Sequence, residues 1–135
     1  AFSPMSISLT LADEIDISRG DMIVSAKNPP QVAKEITAKL CWMSETELQP
    51  GKKYILKHCT KMTKAVVTKV KFIVDIDSLG EQETGSLKLN EIAEVELKVL
   101  NPIPVDSYRQ NRTTGSFILI DSDEAHNTVA AGMVV

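Results

Sequence analysis

Residues 63–77 read TKAVVTKVKFIVDID, and the period of this stretch decides the fold. Alternate positions set Val66, Val70, Phe72, Val74 and Ile76 on one face, with Lys69, Lys71, Asp75 and Asp77 on the other. Side chains point to opposite faces of a β-strand with a period of two, whereas a helix would repeat every 3.6 residues. The stretch is therefore expected to be a long strand with one face in a core.

The same alternation extends outward in both directions. In QVAKEITAKLCW (31–42), Val32, Ile36, Ala38, Leu40 and Trp42 share a face opposite Glu35, Thr37 and Lys39. In IAEVELKVL (92–100), Ala93, Val95, Leu97 and Val99 are read inward and Glu94, Glu96 and Lys98 outward. MSISLTL (5–11) puts Met5, Ile7, Leu9 and Leu11 on one side, as a half-buried strand would. GSFILID (115–121) and TVAAGMVV (128–135) are more uniformly apolar, which suggests central or two-sided burial. Asn28-Pro29-Pro30, Pro50-Gly51, Asn101-Pro102 with Pro104, and Thr114-Gly115 punctuate these runs as turn signals. About eight short strands so spaced predict an all-β chain, an antiparallel barrel or sandwich; closure into a barrel would leave no free edge.

The Pro29-Pro30 pair marks the boundary between two units, because consecutive prolines stiffen and extend a linker. Residues 1–28 are read as the last strands of a preceding β-barrel plus linker, and residues 31–135 as a complete barrel. Two strands alone do not make a stable unit. The first segment therefore either packs on the main barrel or belongs to a larger protein.

Composition narrows the function classes. The 135 residues carry 43% hydrophobic side chains and a net charge of −3. Nucleic-acid binders carry a basic excess, so no nucleic-acid partner is expected. No apolar run reaches the ~18 residues of a membrane helix, and no membrane partner is expected. AFSPMSISLTL at the start lacks a basic region and does not read as a signal peptide. Cys41 and Cys59 do not make a disulfide framework. They are read as reduced thiols in a cytoplasmic protein, with one bridge between neighbouring strands as the alternative.

Candidate chemistry is sparse. Arg19-Gly20-Asp21 resembles an adhesion tripeptide, but Gly20 accepts a positive φ and Asp21 can bond its own backbone, so a tight turn is expected. A phosphate loop requires G-x-x-x-x-G-K-[ST]; TELQPGKK (46–53) fails at Thr46 and Lys53. DSLG (77–80) matches an Asp-x-x-Gly switch pattern of too little information to count. Cys41, Cys59, His58 and His126 lack metal-ligand spacing, and His58 and Cys59, as strand neighbours, face opposite ways. There is no nucleophile elbow, and neither cysteine has an evident base. Asp75/Asp77 and Glu94/Glu96 read as solvated sheet surface. No catalytic, cofactor-binding or metal-binding residue is expected. One asymmetry remains: Lys52, Lys53, Lys57, Lys61, Lys64, Lys69 and Lys71 lie in a stretch without an acid, and Asp75, Asp77, Glu81 and Glu83 come directly after it. A solubilising face accounts for it, with a docking surface for an acidic partner as the alternative.

Two motifs carry more than pattern. LADEIDISRGDMIV (11–24) resembles the end of the second domain of the GTP-binding large subunit, subunit 1, of bacterial sulfate adenylyltransferase. LNPIPVDSYRQNRTTGSFILIDSDEAHNTVAAGMV (100–134) resembles the close of that family's third domain, and WMSETELQPGKKYILKHCTKMTKAVV (42–67) fits between. Gly115, Phe117, Thr128-Val129-Ala130 and Gly132 are also similar to the third domain of elongation factor Tu.

This resemblance implies an antiparallel Greek-key β-barrel of the elongation factor Tu domain 3 type. It also implies a parent that couples GTP hydrolysis to formation of adenylyl sulfate and pyrophosphate from ATP and sulfate. GTP and Mg would belong to the parent's N-terminal domain, with no cofactor in this segment. The implied partners are the parent GTPase domain in cis and the small catalytic subunit. Lys57, Lys61, Lys64, Arg109 and Arg112 are the candidate partner contacts, the arginines through charge-assisted bonds to carboxylates. The alternative is the C-terminal barrel of a translation-type GTPase contacting RNA.

Overall fold

The computed structural model describes residues 1–74, 81–82, 85–123 and 126–135, residues 81 and 82 by their backbone alone. The DSLG stretch and the expected positions Asp75, Ile76 and Asp77 lie outside the described residues. Among the described residues seven strands form: β1 (Gln31–Trp42), β2 (Lys53–His58), β3 (Lys61–Val74), β4 (Glu81–Gln82), β5 (Ile92–Val105), β6 (Ser116–Asp121) and β7 (Asn127–Val134). No helix occurs among the described residues.

All pairings are antiparallel. The order is β2-β6-β7-β1-β5-β3-β4, and β2 pairs with β3 as well, closing six strands into a barrel that β4 extends along β3. Consecutive strands β1 and β2 are not neighbours; β1 lies between β5 and β7, as a Greek key requires.

The core fills from the inward positions of all six strands, among them Leu40, Trp42, Leu56, Val67, Val95, Leu97, Phe117 and Leu119. Trp42 anchors one end. Its indole Nε1–H donates to the Thr46 carbonyl at 2.8 Å, and its ring meets Tyr54 edge-on at 5.8 Å. Leu48 N–H donates to the Leu87 carbonyl at 2.9 Å, which draws two buried leucines from separate loops over that end. At the other end His58 is buried, with Nε2 2.7 Å from the Thr114 carbonyl. A carbonyl only accepts, so Nε2 carries the proton.

β5 keeps the expected parity throughout: Ala93, Val95, Leu97 and Val99 are buried. β3 does not. Its register shifts between Val67 and Lys69 and again between Val70 and Phe72. Each bulge adds a residue and reverses which parity faces inward. Thr63, Ala65 and Val67 are buried before the first, Val70 after it, and Ile73 packs against the core after the second. Val70 was placed correctly, but Val66, Phe72 and Val74 are not inward residues. β1 has its own register shift between Ala33 and Glu35, which leaves Val32, expected inward, 68% exposed.

Asn101-Pro102 and Pro104, expected to mark a turn, lie inside β5. Beyond Val99 this strand pairs with β1 but no longer with β3, so a residue without an N–H removes no bond on that side. Asn101 N–H finds Thr63 Oγ1 at 3.2 Å instead.

The N-terminal segment forms no strand: residues 5–11, expected to be one, are unpaired, and Met5, Ile7, Leu9 and Leu11 are exposed. Strands persist when a neighbour takes up their N–H and C=O groups, and the six-stranded ring is already closed. Arg19-Gly20-Asp21 is a turn, as expected. Asp21 N–H donates to the Ser18 carbonyl at 3.1 Å, Gly20 has a φ of 103°, and Ser18 N–H donates to Asp21 Oδ2 at 2.9 Å. A positive φ at the third position is the signature of a type II turn.

Candidate partner-binding face

Four strands build a shallow hollow on the outer wall. Cys41 on β1 pairs with Ala131 on β7, Ala131 with Ile118 on β6, and Ile118 with Lys57 on β2. One cross-strand row thus runs from a thiol over two apolar side chains to an exposed ammonium. Met133 extends the apolar floor, Tyr108, Arg112, Thr113 and Cys59 form the far rim, and the hollow holds about 740 Å³.

The rim is rigid because the β5–β6 loop is cross-braced. Tyr108 N–H donates to the Val134 carbonyl at 2.9 Å, Gly115 N–H to the Asn111 carbonyl at 2.8 Å, and Val134 N–H to the Gly115 carbonyl at 2.8 Å. Thr114 Oγ1 donates to Asp106 Oδ2 at 2.6 Å, and Asn111 Oδ1 accepts from Thr113 N–H at 3.0 Å. Gly115 is required by space. A Cβ there would stand 2.5 Å from Tyr108 Cα and 2.7 Å from the Asn111 carbonyl oxygen.

The five expected contact residues divide. Lys57 and Arg112 line this hollow together. Lys61 does not join them: its Nζ donates to the Pro102 carbonyl at 3.2 Å, and its stem lies under Gly20 of the N-terminal turn. Lys64 is on β3, lining a different hollow. Arg109 is exposed in the β5–β6 loop and lines neither. Sequence reading missed Cys41, Ile118, Ala131 and Met133. For Ile118, Ala131 and Met133 the signal was the uniformly apolar character of β6 and β7, read as two-sided burial; these outward residues instead floor the hollow.

Cys41 and Cys59 are free thiols. Cys41 is on β1, but Cys59 lies in the turn between β2 and β3 at a φ of 50°, and β6 and β7 stand between β1 and β2, so the alternative of a bridge between neighbouring strands is not realised. Burial pushes the Cys59 thiol up, which disfavours the reactive thiolate. No group of three potential metal ligands occurs among the described residues.

A nucleotide phosphate does not fit the Pro50-Gly51-Lys52 turn. Gly51 N–H is committed to the Val67 carbonyl at 3.1 Å and Lys52 N–H to the Gln49 carbonyl at 3.1 Å. The Lys52 ammonium sits 2.6 Å from Asp121 Oδ2 and 3.5 Å from Asp123 Oδ2, and 5.7 Å from the Tyr54 ring centre. A phosphate cradle needs free amides and an available lysine, and these are occupied.

Residues 35–135 match the GTP-eEF1A C-terminal domain-like family. The chain belongs to that family. Its GTP-eEF1A C-terminal-like domain is similar in fold to the crystal structure of sup35 complexed with GDP, with a TM-score of 0.72 and 19% identity over 82% of this chain and 27% of that one. Curated relatives match over the full chain. The "Bifunctional enzyme CysN/CysC" of Mycobacterium tuberculosis is 45% identical over 137 residues, 22% of its length. "Sulfate adenylyltransferase subunit 1" is 44% identical in Teredinibacter turnerae and 45% in Alteromonas mediterranea, each over 135 residues and 29% and 28% of their lengths. The chain thus spans less than a third of these relatives. No helix among the described residues is long and apolar enough to cross a membrane.

Proposed function

We propose that this chain is the non-catalytic barrel portion of the GTP-binding large subunit of a sulfate adenylyltransferase. In that role it transmits the state of a GTPase domain to the subunit that makes adenylyl sulfate from ATP and sulfate. The observation that carries this reading is 44–45% identity across all 135 residues, including the segment ahead of the family match at residue 35. GTP and Mg would bind the parent's N-terminal domain, the small catalytic subunit would be the partner in trans, and the setting would be the cytoplasm.

Residues 1–28 fit the closing strands of the barrel before this one. Phe2, Met5, Ile7, Leu9, Leu11, Ile15, Ile17, Ile23 and Val24 are all exposed here, and so many apolar side chains on one segment call for a covering sheet. The hollow rimmed by Lys57 and Arg112 suits an apolar contact bordered by carboxylates, the usual make-up of an interface core and rim. Coupling requires that contacts at such a surface differ between the two nucleotide states.

The test is reconstitution of the full-length large subunit with its small subunit. Lys57→Glu/Arg112→Glu is expected to leave GTP binding intact while lowering GTP-dependent adenylyl sulfate formation. Unchanged coupling would remove the hollow from the mechanism. An upstream coding sequence without a phosphate-loop domain would remove the whole reading.

A further inference from the structure

Directly across the barrel from the first hollow lies a second outer hollow of different chemistry. The first centres on β6 and β7; in the ring β2-β6-β7-β1-β5-β3, the opposite pair is β5 and β3. There Lys53 on β2 pairs with Val66 on β3, Val66 with Lys98 on β5, and Lys98 with Glu35 on β1. Lys34 and Lys64 complete the lining, with Leu100, 61% exposed, among the apolar floor residues.

Four ammonium groups thus gather on one face of a chain whose net charge is −3. Elsewhere on the same two strands the charges are balanced locally: Lys71 lies 3.4 Å from both Glu94 and Glu96. At the hollow, the carboxylate found among the described residues is Glu35, 3.7 Å from Lys98. Lys34, Lys53 and Lys64 make no ion pair with any described residue. Like charges so placed repel one another unless a partner brings the opposite sign.

We propose that this hollow is a docking site for an acidic protein segment, one that alternates carboxylates with apolar side chains. The Lys98–Glu35 pair shows a carboxylate meeting this row. Val66 and Leu100 between the lysines call for apolar groups between the carboxylates. The lining has no aromatic ring or guanidinium on which a base would stack, and the overall negative charge opposes a polyanion at long range; both favour an acidic protein segment over nucleic acid. The barrel's own charge pattern carries this docking site, independently of the sulfate adenylyltransferase reading.

The experiment measures fluorescence anisotropy of a labelled decapeptide alternating glutamate with valine, titrated with the 135-residue chain at low and high salt. A labelled oligouridylate of equal charge runs in parallel. The peptide is expected to bind, more weakly at high salt, and Lys53→Glu/Lys64→Glu is expected to weaken it by at least about tenfold. Arg109→Glu, in the β5–β6 loop and lining neither hollow, is expected to leave it unchanged. All the substituted side chains are exposed, and a thermal melt of each variant confirms folding; Lys53→Gln/Lys64→Gln replaces the reversal if that variant does not fold. Absence of peptide binding, an equal loss with Arg109→Glu, or tighter binding of the oligouridylate than of the peptide would each overturn the proposal.

Discussion

The far end of the Phe117 ring reaches Gly132, its partner on the neighbouring strand: a Cβ added to Gly132 would collide with Phe117 Cζ. The ring occupies space that any side chain at 132 would claim. Gly132→Ala is therefore expected to destabilise the barrel by about 1–3 kcal/mol through overpacking. Phe117→Leu in the same chain should recover part of that loss, although alone it destabilises. Urea unfolding of the four chains checks this, and simple additivity of the two substitutions would contradict it.

Gly115 meets backbone rather than a ring, and backbone yields less. Gly115→Ala should cost more than Gly132→Ala and should also disturb the Arg112 rim of the first hollow. Amide exchange at Tyr108 and Val134 is the readout, since their N–H groups close this loop. Unaltered protection at both would show that the loop accommodates a methyl group.

Val66 and Val67 are adjacent and so face opposite ways: ahead of the first β3 bulge, Val67 is wholly buried and Val66 lies on the outer wall. Val67→Asp should abolish cooperative melting, because an unpaired charge enters the core at a cost of several kcal/mol. Val66→Asp should melt cooperatively and near the parent temperature. Equal damage from the two would mean that β3 has another register.

The hydrogen bond to Asp121 holds the Lys52 ammonium above its ordinary range; burial opposes this and the charges of Asp121 and Asp123 add to it. A raised lysine pKa stabilises the fold fully below the unfolded value, about 10.4, and the contribution fades as pH rises through the folded value. The stability difference between the parent and Lys52→Met should thus be flat from neutral pH to about 10, then shrink. Urea melts across that range measure it. A difference that grows with alkalinity would reverse the sign.

With the Gly51 and Lys52 N–H groups already bonded, the isolated chain should neither hydrolyse GTP nor melt at a higher temperature in its presence. Binding to the folded state alone would raise the melting temperature by mass action. A GTP-dependent shift would contradict the assignment of nucleotide chemistry to another domain.

Much of the barrel was legible in the sequence because sheet faces follow parity. β5 shows this best, with every expected inward residue from Ala93 to Val99 buried. Parity failed where bulges intervened, at Val66, Phe72 and Val32, because one inserted residue leaves the hydrophobic count unchanged while turning the rest of the strand over. Prolines misled at 102 and 104, since pairing on one side alone tolerates them. The site was less readable. Lys57 and Arg112 are far apart in sequence and share a hollow, whereas Lys57 and Lys61 are close in sequence and do not. Strand order around the ring sets those distances, and it is a long-range property.

Closure by the β2–β3 pairing also governs how this molecule can be approached. Where β5 runs on past Val99 with one flank open, Pro102 and Pro104 remove the donors that an incoming chain would need. Hydrogen bonding from main chain to main chain is thus denied to visitors along this stretch of β5. Recognition there must be written in side chains, so affinity for a partner can change one residue at a time while the framework stays fixed.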